Sequence, residues 1–259
     1  MQAITADIVD SQILLITMHR PASANALNTQ MAAELRDAFT DTKAYRVVIL
    51  TGGGEKAFCA GADLKERQNM DETSWRAQRQ LFEHAYQALL NCPVPVIAAV
   101  NGAAYGGGLE LALGCDFIYA AETARFALPE ASLGLMPGLG GSQILPRTVG
   151  IRRANQLLFT GESFSAAEAH AWGLVNRLCP PEQLLKETLA CARRITANSP
   201  LSIRAIKKAT QEGLALPLLA ALRVELSYYN TLVGTADAIE GITAFNEKRQ
   251  PIFADVFYR

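Results

Sequence analysis

Residues 96–120 read VIAAVNGAAYGGGLELALGCDFIYA, and this stretch decides the fold class. Val96–Val100 is a short, wholly apolar run of the kind that forms a strand buried on both faces, and Asp116–Ala120, apolar after its first residue, is a further buried strand. Between them Gly106, Gly107 and Gly108 open a helix in which Leu109, Leu111, Ala112 and Leu113 leave no polar face, so the helix is buried as well. Working outward, Ile13–Met18 and Arg46–Thr51 are two further buried-strand runs. Asn28 caps a helix whose apolar face is Met31, Leu35, Ala38 and Phe39. A longer helix runs from about Asp71 to Asn91 and is stopped by Pro93 and Pro95. Strand and helix in alternation predict α/β layers with parallel strands.

From Ser165 onward the apolar spacing is nearly all helical. Ser165-Ala-Ala-Glu168 is a capping box, since hydroxyl and carboxylate can each satisfy an orphan amide. Pro217 opens a helix on which Leu218, Leu219, Leu222, Leu226 and Val233 form one stripe. The expected division is an α/β core over residues 1–195 and a helical region over residues 196–259, with no internal repeat or low-complexity tract.

Composition narrows the function classes. The chain has 259 residues, half of them hydrophobic, with 24 basic against 25 acidic side chains and hence no charge excess to drive nucleic-acid binding. Cys59, Cys92, Cys115, Cys179 and Cys191 are odd in number and widely spaced, which reads as reduced thiols of a cytoplasmic protein. The amino terminus lacks the pattern of a signal peptide, and no apolar run approaches the roughly 18 residues of a membrane span. The glycine clusters fail the nucleotide-binding frames: Gly52-Gly53-Gly54-Glu55-Lys56 is no phosphate loop, and Gly138-Leu-Gly140 is followed by Gln143 where a dinucleotide fingerprint needs glycine. No GxSxG elbow occurs, and His19, His84 and His170 lack metal-ligand spacing, so no metal is expected.

Two glycine-rich turns and two glutamates remain. Cys59-Ala60-Gly61-Ala62-Asp63-Leu64 lets backbone approach a ligand closely, and Gly106–Gly108 places bare N–H groups at a helix start. Either could be simply a tight turn. Glu110 sits in the all-apolar helix, where an unpaired carboxylate costs several kcal/mol and tends to hold its proton. Glu130, in Leu128-Pro129-Glu130-Ala131, has the setting of a turn carboxylate. Together, raised-pKa carboxylates beside amide donors describe acid–base chemistry on a carbonyl compound whose oxygen becomes anionic.

At these residues the chain resembles the crotonase, or enoyl-CoA hydratase/isomerase, superfamily over nearly its whole length. The landmarks run in order: Arg20-Pro21 with Asn25-Ala26-Leu27; Ala57–Leu64; Asn101-Gly102 with Gly106–Glu110; Phe126–Glu130; Pro137–Gly141; Leu145-Pro146-Arg147; and Ala244–Arg249. The resemblance implies a crotonase-like ββα spiral core with a C-terminal helical trimerisation portion, assembled as a homotrimer or as a hexamer made of two trimers. It implies a hydratase that adds water across the 2,3 double bond of a trans-2-enoyl-CoA, with coenzyme A as part of the substrate and no separate cofactor. Carried over by position, the thioester oxygen would sit between the amides of Ala60 and Gly107, Glu110 would orient and deprotonate the water, and Glu130 would transfer the proton at Cα. Family isomerases keep only one such carboxylate, so the pair favours hydration.

Coenzyme A would meet Ala24, the stretch Ala60, Gly61, Ala62, Asp63 and Leu64, and Phe245 with Lys248, the last two often acting on a neighbouring subunit. Ala22 stands where many members carry a basic residue, and Ile144 where many carry arginine. Ala57–Arg67 resembles methylglutaconyl-CoA hydratases and Phe126–Glu130 resembles carnitinyl-CoA dehydratases, so these activities and enoyl-CoA isomerisation are the alternatives. RNA binding, found among methylglutaconyl-type members, is disfavoured by the balanced charge. The acyl pocket is expected between Glu66 and Phe82, with Met70, Trp75 and Leu81 as lining and Arg67, Arg76 and Arg79 as available cations.

Overall fold

Every buried run of the sequence lands in one sheet. The computed structural model describes residues 2–254, so residue 1 and residues 255–259, at the ends of the two expected regions, lie outside the described residues. The chain opens with β1 (Ile4–Val9), β2 (Ile13–Met18) and α1 (Thr29–Thr40), then β3 (Val47–Gly52), β4 (Ala57–Cys59), α2 (Leu64–Arg67) and α3 (Glu72–Leu90). There follow β5 (Val96–Val100), β6 (Ala103–Tyr105), α4 (Gly107–Gly114), β7 (Phe117–Ala121), β8 (Arg125–Ala127) and a 3-10 turn at Glu130–Leu133. Next come α5 (Gly141–Val149), α6 (Ile151–Thr160), β9 (Phe164–Ser165), α7 (Ala166–Ala171), β10 (Arg177–Cys179) and α8 (Leu184–Thr196). Three helices close the described chain: α9 (Pro200–Gly213), α10 (Leu218–Leu232) and α11 (Ala236–Glu247).

The larger sheet has the order β1-β2-β3-β5-β7-β10, and the smaller one β4-β6-β8-β9. In the larger sheet β2, β3, β5, β7 and β10 are parallel, as the alternation predicts, while β1 returns antiparallel along β2. The pairs β3–β4, β5–β6 and β7–β8 each give one strand to the larger sheet and the next to the smaller before the chain turns into helix. This is the ββα spiral. Its repeat is structural, with no repeat in the sequence, because each turn of the spiral packs different side chains around the same backbone path. The smaller sheet was not expected: its strands are two or three residues long, too short to show an alternating pattern.

Local signals explain the element ends. Asn28 accepts the amide of Met31, Asp71 accepts that of Ser74, and Ser165 with Glu168 forms the full capping box. Asn25, wholly buried, accepts from the amide of Arg20 and donates to the carbonyls of Gly53 and Ala57, pinning the first loop to the turn after β3. In the C-terminal region α9 is tied to the core by Lys207, which donates to the carbonyl of Val94 and pairs with Asp116 at 2.7 Å. Helix α10 has no buried residue, and Leu218 and Leu219 are 73% and 77% exposed. All five thiols are buried and unpaired.

Candidate active site

Backbone contact between α4 and β4 builds the site. Gly108 lies directly against the carbonyl of Cys59, where a side chain has no room. That brings the first turn of α4 beside the turn after β4, so Gly61 and Ala62 face Gly107. As the first residue of α4, Gly107 has no intrahelical acceptor for its amide. Across from it, the carbonyl of Gly61 and the amide of Asp63 are bonded to Leu27, which leaves the amide of Ala62 without an acceptor among the described residues.

The amide expected from position in the sequence was that of Ala60, and this needs correcting. Ala60 donates to the carbonyl of Ala24 at 3.0 Å and so points away from the cavity. Gly61, with φ of +94°, turns the chain between Ala60 and Ala62, and pairing with Ala24 and Leu27 consumes the amides of Ala60 and Asp63. The amides of Ala62 and Gly107 are open and lie side by side where the two turns meet.

Both glutamates come to this place, in unlike surroundings. The Oε1 of Glu110 accepts from the amides of Leu139 at 2.6 Å and Gly141 at 2.9 Å. Burial pushes its carboxyl upward from the ordinary carboxylate range, and the amides of Gly141, Leu139 and Gly138 with the charge of Arg79 pull the other way. Glu130 heads the 3-10 turn with its buried Oε2 lacking any partner among the described residues. Burial raises it to about 7, helped by the charge of Glu110 and opposed by its own amide. Gly106 makes room for it: an ideal β-carbon there would lie 3.1 Å from Glu130 Oε1, and its φ of +52° suits glycine.

The two carboxylates and the two open amides border one cavity of about 620 Å³. Trp75, Phe82, Leu135 and Met136 make its wall mainly apolar, as an acyl chain requires. Of the expected lining, Trp75 is present, whereas Met70 and Leu81 are not among the lining residues. Arg67 lies over the rings of Trp75 and Phe82, and Arg79 joins the wall beside Gly138, whereas Arg76 is exposed and paired with Glu72.

Residues expected to meet coenzyme A divide in two groups. Ala60, Gly61, Ala62 and Leu64 line the cavity, Asp63 caps α2 and pairs with Arg20, and Ala24 holds Ala60. Phe245, 83% exposed, and Lys248, in left-handed conformation at the end of α11, are not brought to the cavity of their own chain. Sequence reasoning missed the Leu139 and Gly141 amides; the glycines around them were visible, but the carboxylate they serve lies 29 and 31 residues earlier.

Acid–base work on an acyl compound is what this cavity is equipped for, and the chain is an enzyme of that class. Its family follows from comparison: the model described as enoyl-CoA hydratase/isomerase matches residues 9–256, and the chain belongs to that family. It is 41% identical over 247 residues to the crotonyl-CoA hydratase of Syntrophomonas wolfei, covering 94% of this chain and 95% of the relative. It is also 41% identical over 244 residues to the mitochondrial enoyl-CoA hydratase of Pongo abelii, covering 93% and 83%. The crystal structure of an enoyl-CoA hydratase from Bacillus anthracis superposes with a TM-score of 0.96 at 41% identity, over 98% of this chain and all of that one. Among the described residues no helix is long and apolar enough to cross a membrane.

Proposed function

We propose that the chain is an enoyl-CoA hydratase, adding water across the 2,3 double bond of a trans-2-enoyl thioester to give a 3-hydroxyacyl thioester. The observation that carries the reading is the meeting of Glu110 and Glu130 with two open amides at one apolar cavity. The amides of Ala62 and Gly107 receive the thioester oxygen as it becomes enolate-like, and each such donor contributes about 3–4 kcal/mol to a transition state. Glu110, whose Oε1 is held by two amides, carries the negative charge and takes a proton from water as the hydroxyl bonds to Cβ. Glu130, with nothing to stabilise its anion at Oε2, carries the proton and delivers it to Cα. The enolate electrons close onto Cα, the thioester carbonyl is restored, and a proton returned from Glu110 to Glu130 by way of solvent resets the pair.

Further parts of the reading rest on the family and on placement. Ala24 and the Ala60–Leu64 turn form the coenzyme A path, and Phe245 and Lys248 reach the coenzyme of a neighbouring subunit, which their distance from their own cavity supports. The exposed apolar faces of α10 and α11 support residues 196–259 as the trimer-forming region beside the catalytic core of residues 1–195, with two trimers making a hexamer. Five buried, unpaired thiols fit a reducing compartment such as the cytoplasm.

The test is the loss of conjugated enoyl-thioester absorbance with crotonyl-CoA. Wild type should turn over, and Glu110→Gln and Glu130→Gln should each lose at least about 100-fold in kcat. Full activity in Glu130→Gln would sink the assignment.

A further inference from the structure

The segment Leu135–Gly141 is tied to the rest of the protein by few hydrogen bonds. Leu135 donates to the carbonyl of Glu130, and Leu139 and Gly141 donate to Glu110. The remaining described bond from another element comes from α3, where Arg79 donates from Nη2 to the carbonyl of Gly138. Gly138 immediately precedes Leu139, so the arginine grips the peptide that presents the Leu139 amide to the carboxylate.

We infer that Arg79 is the positioning residue for Glu110, holding the Pro137–Gly140 loop through the carbonyl of Gly138 so that its amides stay on the carboxylate. The proposal rests on the hydratase reading above. Arg79 is suited to the part because it stands on a rigid element: α3 is capped by Asp71 and buries Phe82, Tyr86 and Leu89. Its other terminal nitrogen, Nη1, is buried without a hydrogen bond and reaches only to 3.7 Å from Glu83, so the side chain is not committed elsewhere. A planar guanidinium also holds a carbonyl in a fixed direction, which an ammonium does less well.

A purely structural clamp and a positioning residue differ in what they do to the reaction. Glu110 is faced by Arg79 and Tyr86 from α3 and by Glu130 from the 3-10 turn, and of these only Arg79 is a cation. Its removal takes away a charge that favours the Glu110 anion and frees the loop whose amides favour it too. The pH at which Glu110 ionises must then rise. An error of about 1 Å in a catalytic group costs on the order of 100-fold in rate, whereas the Ala62 and Gly107 amides that receive the thioester oxygen are untouched.

The experiment compares wild type, Arg79→Met and Arg79→Lys with crotonyl-CoA from about pH 5 to about pH 9, after thermal melts establish folding. Arg79→Met should lose about 10- to 100-fold in kcat with KM within about twofold, and its acidic limb should move to higher pH. Arg79→Lys should keep the acidic limb near its original place, because charge remains, and recover part of kcat. In parallel the carboxyl 13C signal of Glu110 is titrated in wild type and Arg79→Met, a readout independent of turnover. A folded Arg79→Met with wild-type kcat, an acidic limb that stays put, or an unmoved Glu110 titration would overturn the inference. Lack of turnover by the wild type would instead fail the hydratase reading, and the Glu110 titration would still decide whether Arg79 governs that carboxyl.

Discussion

An ideal β-carbon on Gly108 would lie 2.0 Å from the carbonyl oxygen of Cys59, so α4 and β4 meet backbone to backbone. The contact sets how close Gly107 comes to Ala62 and hence the spacing of the two open amides. Gly108→Ala must push helix and strand apart, at a cost of about 1–3 kcal/mol for overpacking and more where the obstacle is backbone. A fall in Tm of about 2–4 °C per kcal/mol is expected for a chain of this size. The larger effect should fall on turnover, with kcat for crotonyl-CoA down about 100-fold because one or both amides miss the enolate oxygen. Calorimetry alongside steady-state kinetics would separate the two effects; a fully active, equally stable alanine variant contradicts the contact.

Glu130 connects stability and activity to pH. As the proton donor in hydration it must be protonated, so kcat in that direction should fall as pH rises through about 7, while dehydration should gain over the same range. The folded-state value lies above the ordinary 4.5, so the folded protein binds this proton more tightly than the unfolded chain does. The stability it contributes is complete below about 4.5 and is lost as pH rises through about 7. Glu130→Gln, which cannot ionise, should therefore melt about 2 °C or more above wild type at about pH 8 yet match it at about pH 4. Equal melting differences at both pH values would show that the carboxyl is not perturbed by its surroundings.

Four strands of the larger sheet, β2, β3, β5 and β7, were legible because they are runs of five or six mainly apolar residues, whereas the mostly exposed β1 and the three-residue β10 were not. Glu110 was legible for a related reason: a carboxylate among Leu109, Leu111, Ala112 and Leu113 stands in a helix with no polar face. Glu130 was not distinctive by pattern, since Pro129 and a turn are as compatible with an exposed side chain; it mattered through the resemblance. The open amide was misplaced by two residues. Which N–H of Ala60–Asp63 is free depends on pairing with Ala24–Leu27, more than 30 residues away, and nothing local records that partner. The grip of Arg79 on Gly138 was invisible likewise, one of three arginines on the same stretch.

Asn25 offers a test of the first loop. Its side chain satisfies one buried donor and two carbonyls, and its φ of +54° is tolerated by asparagine better than by alanine. Asn25→Ala should cost about 2–4 kcal/mol, combining lost hydrogen bonds with left-handed strain. Asn25→Gly removes the strain alone and should recover about 1 kcal/mol of it. Urea midpoints at constant m-value would measure both, and an alanine variant as stable as wild type would count against the three-way bond.

Lys207 joins the C-terminal helices to the core, and its loss should act locally. The ammonium is nearly buried, with Asp116 at 2.7 Å and the Val94 carbonyl at 2.9 Å. Asp116 retains some exposure and a second bond from the amide of Val96, so it keeps part of its stabilisation when the lysine goes. Lys207→Met should therefore cost about 1–3 kcal/mol, below the range for breaking a fully buried pair. Because α9 carries this attachment while the sheet is held by its own ladder, amide exchange should speed up across α9 and α10 and change little in β5 and β7. Adding Asp116→Asn should give less than the sum of the two single effects, the mark of a coupled pair. Strict additivity, or faster exchange spread evenly over the larger sheet, would mean that the bridge does not anchor the C-terminal helices.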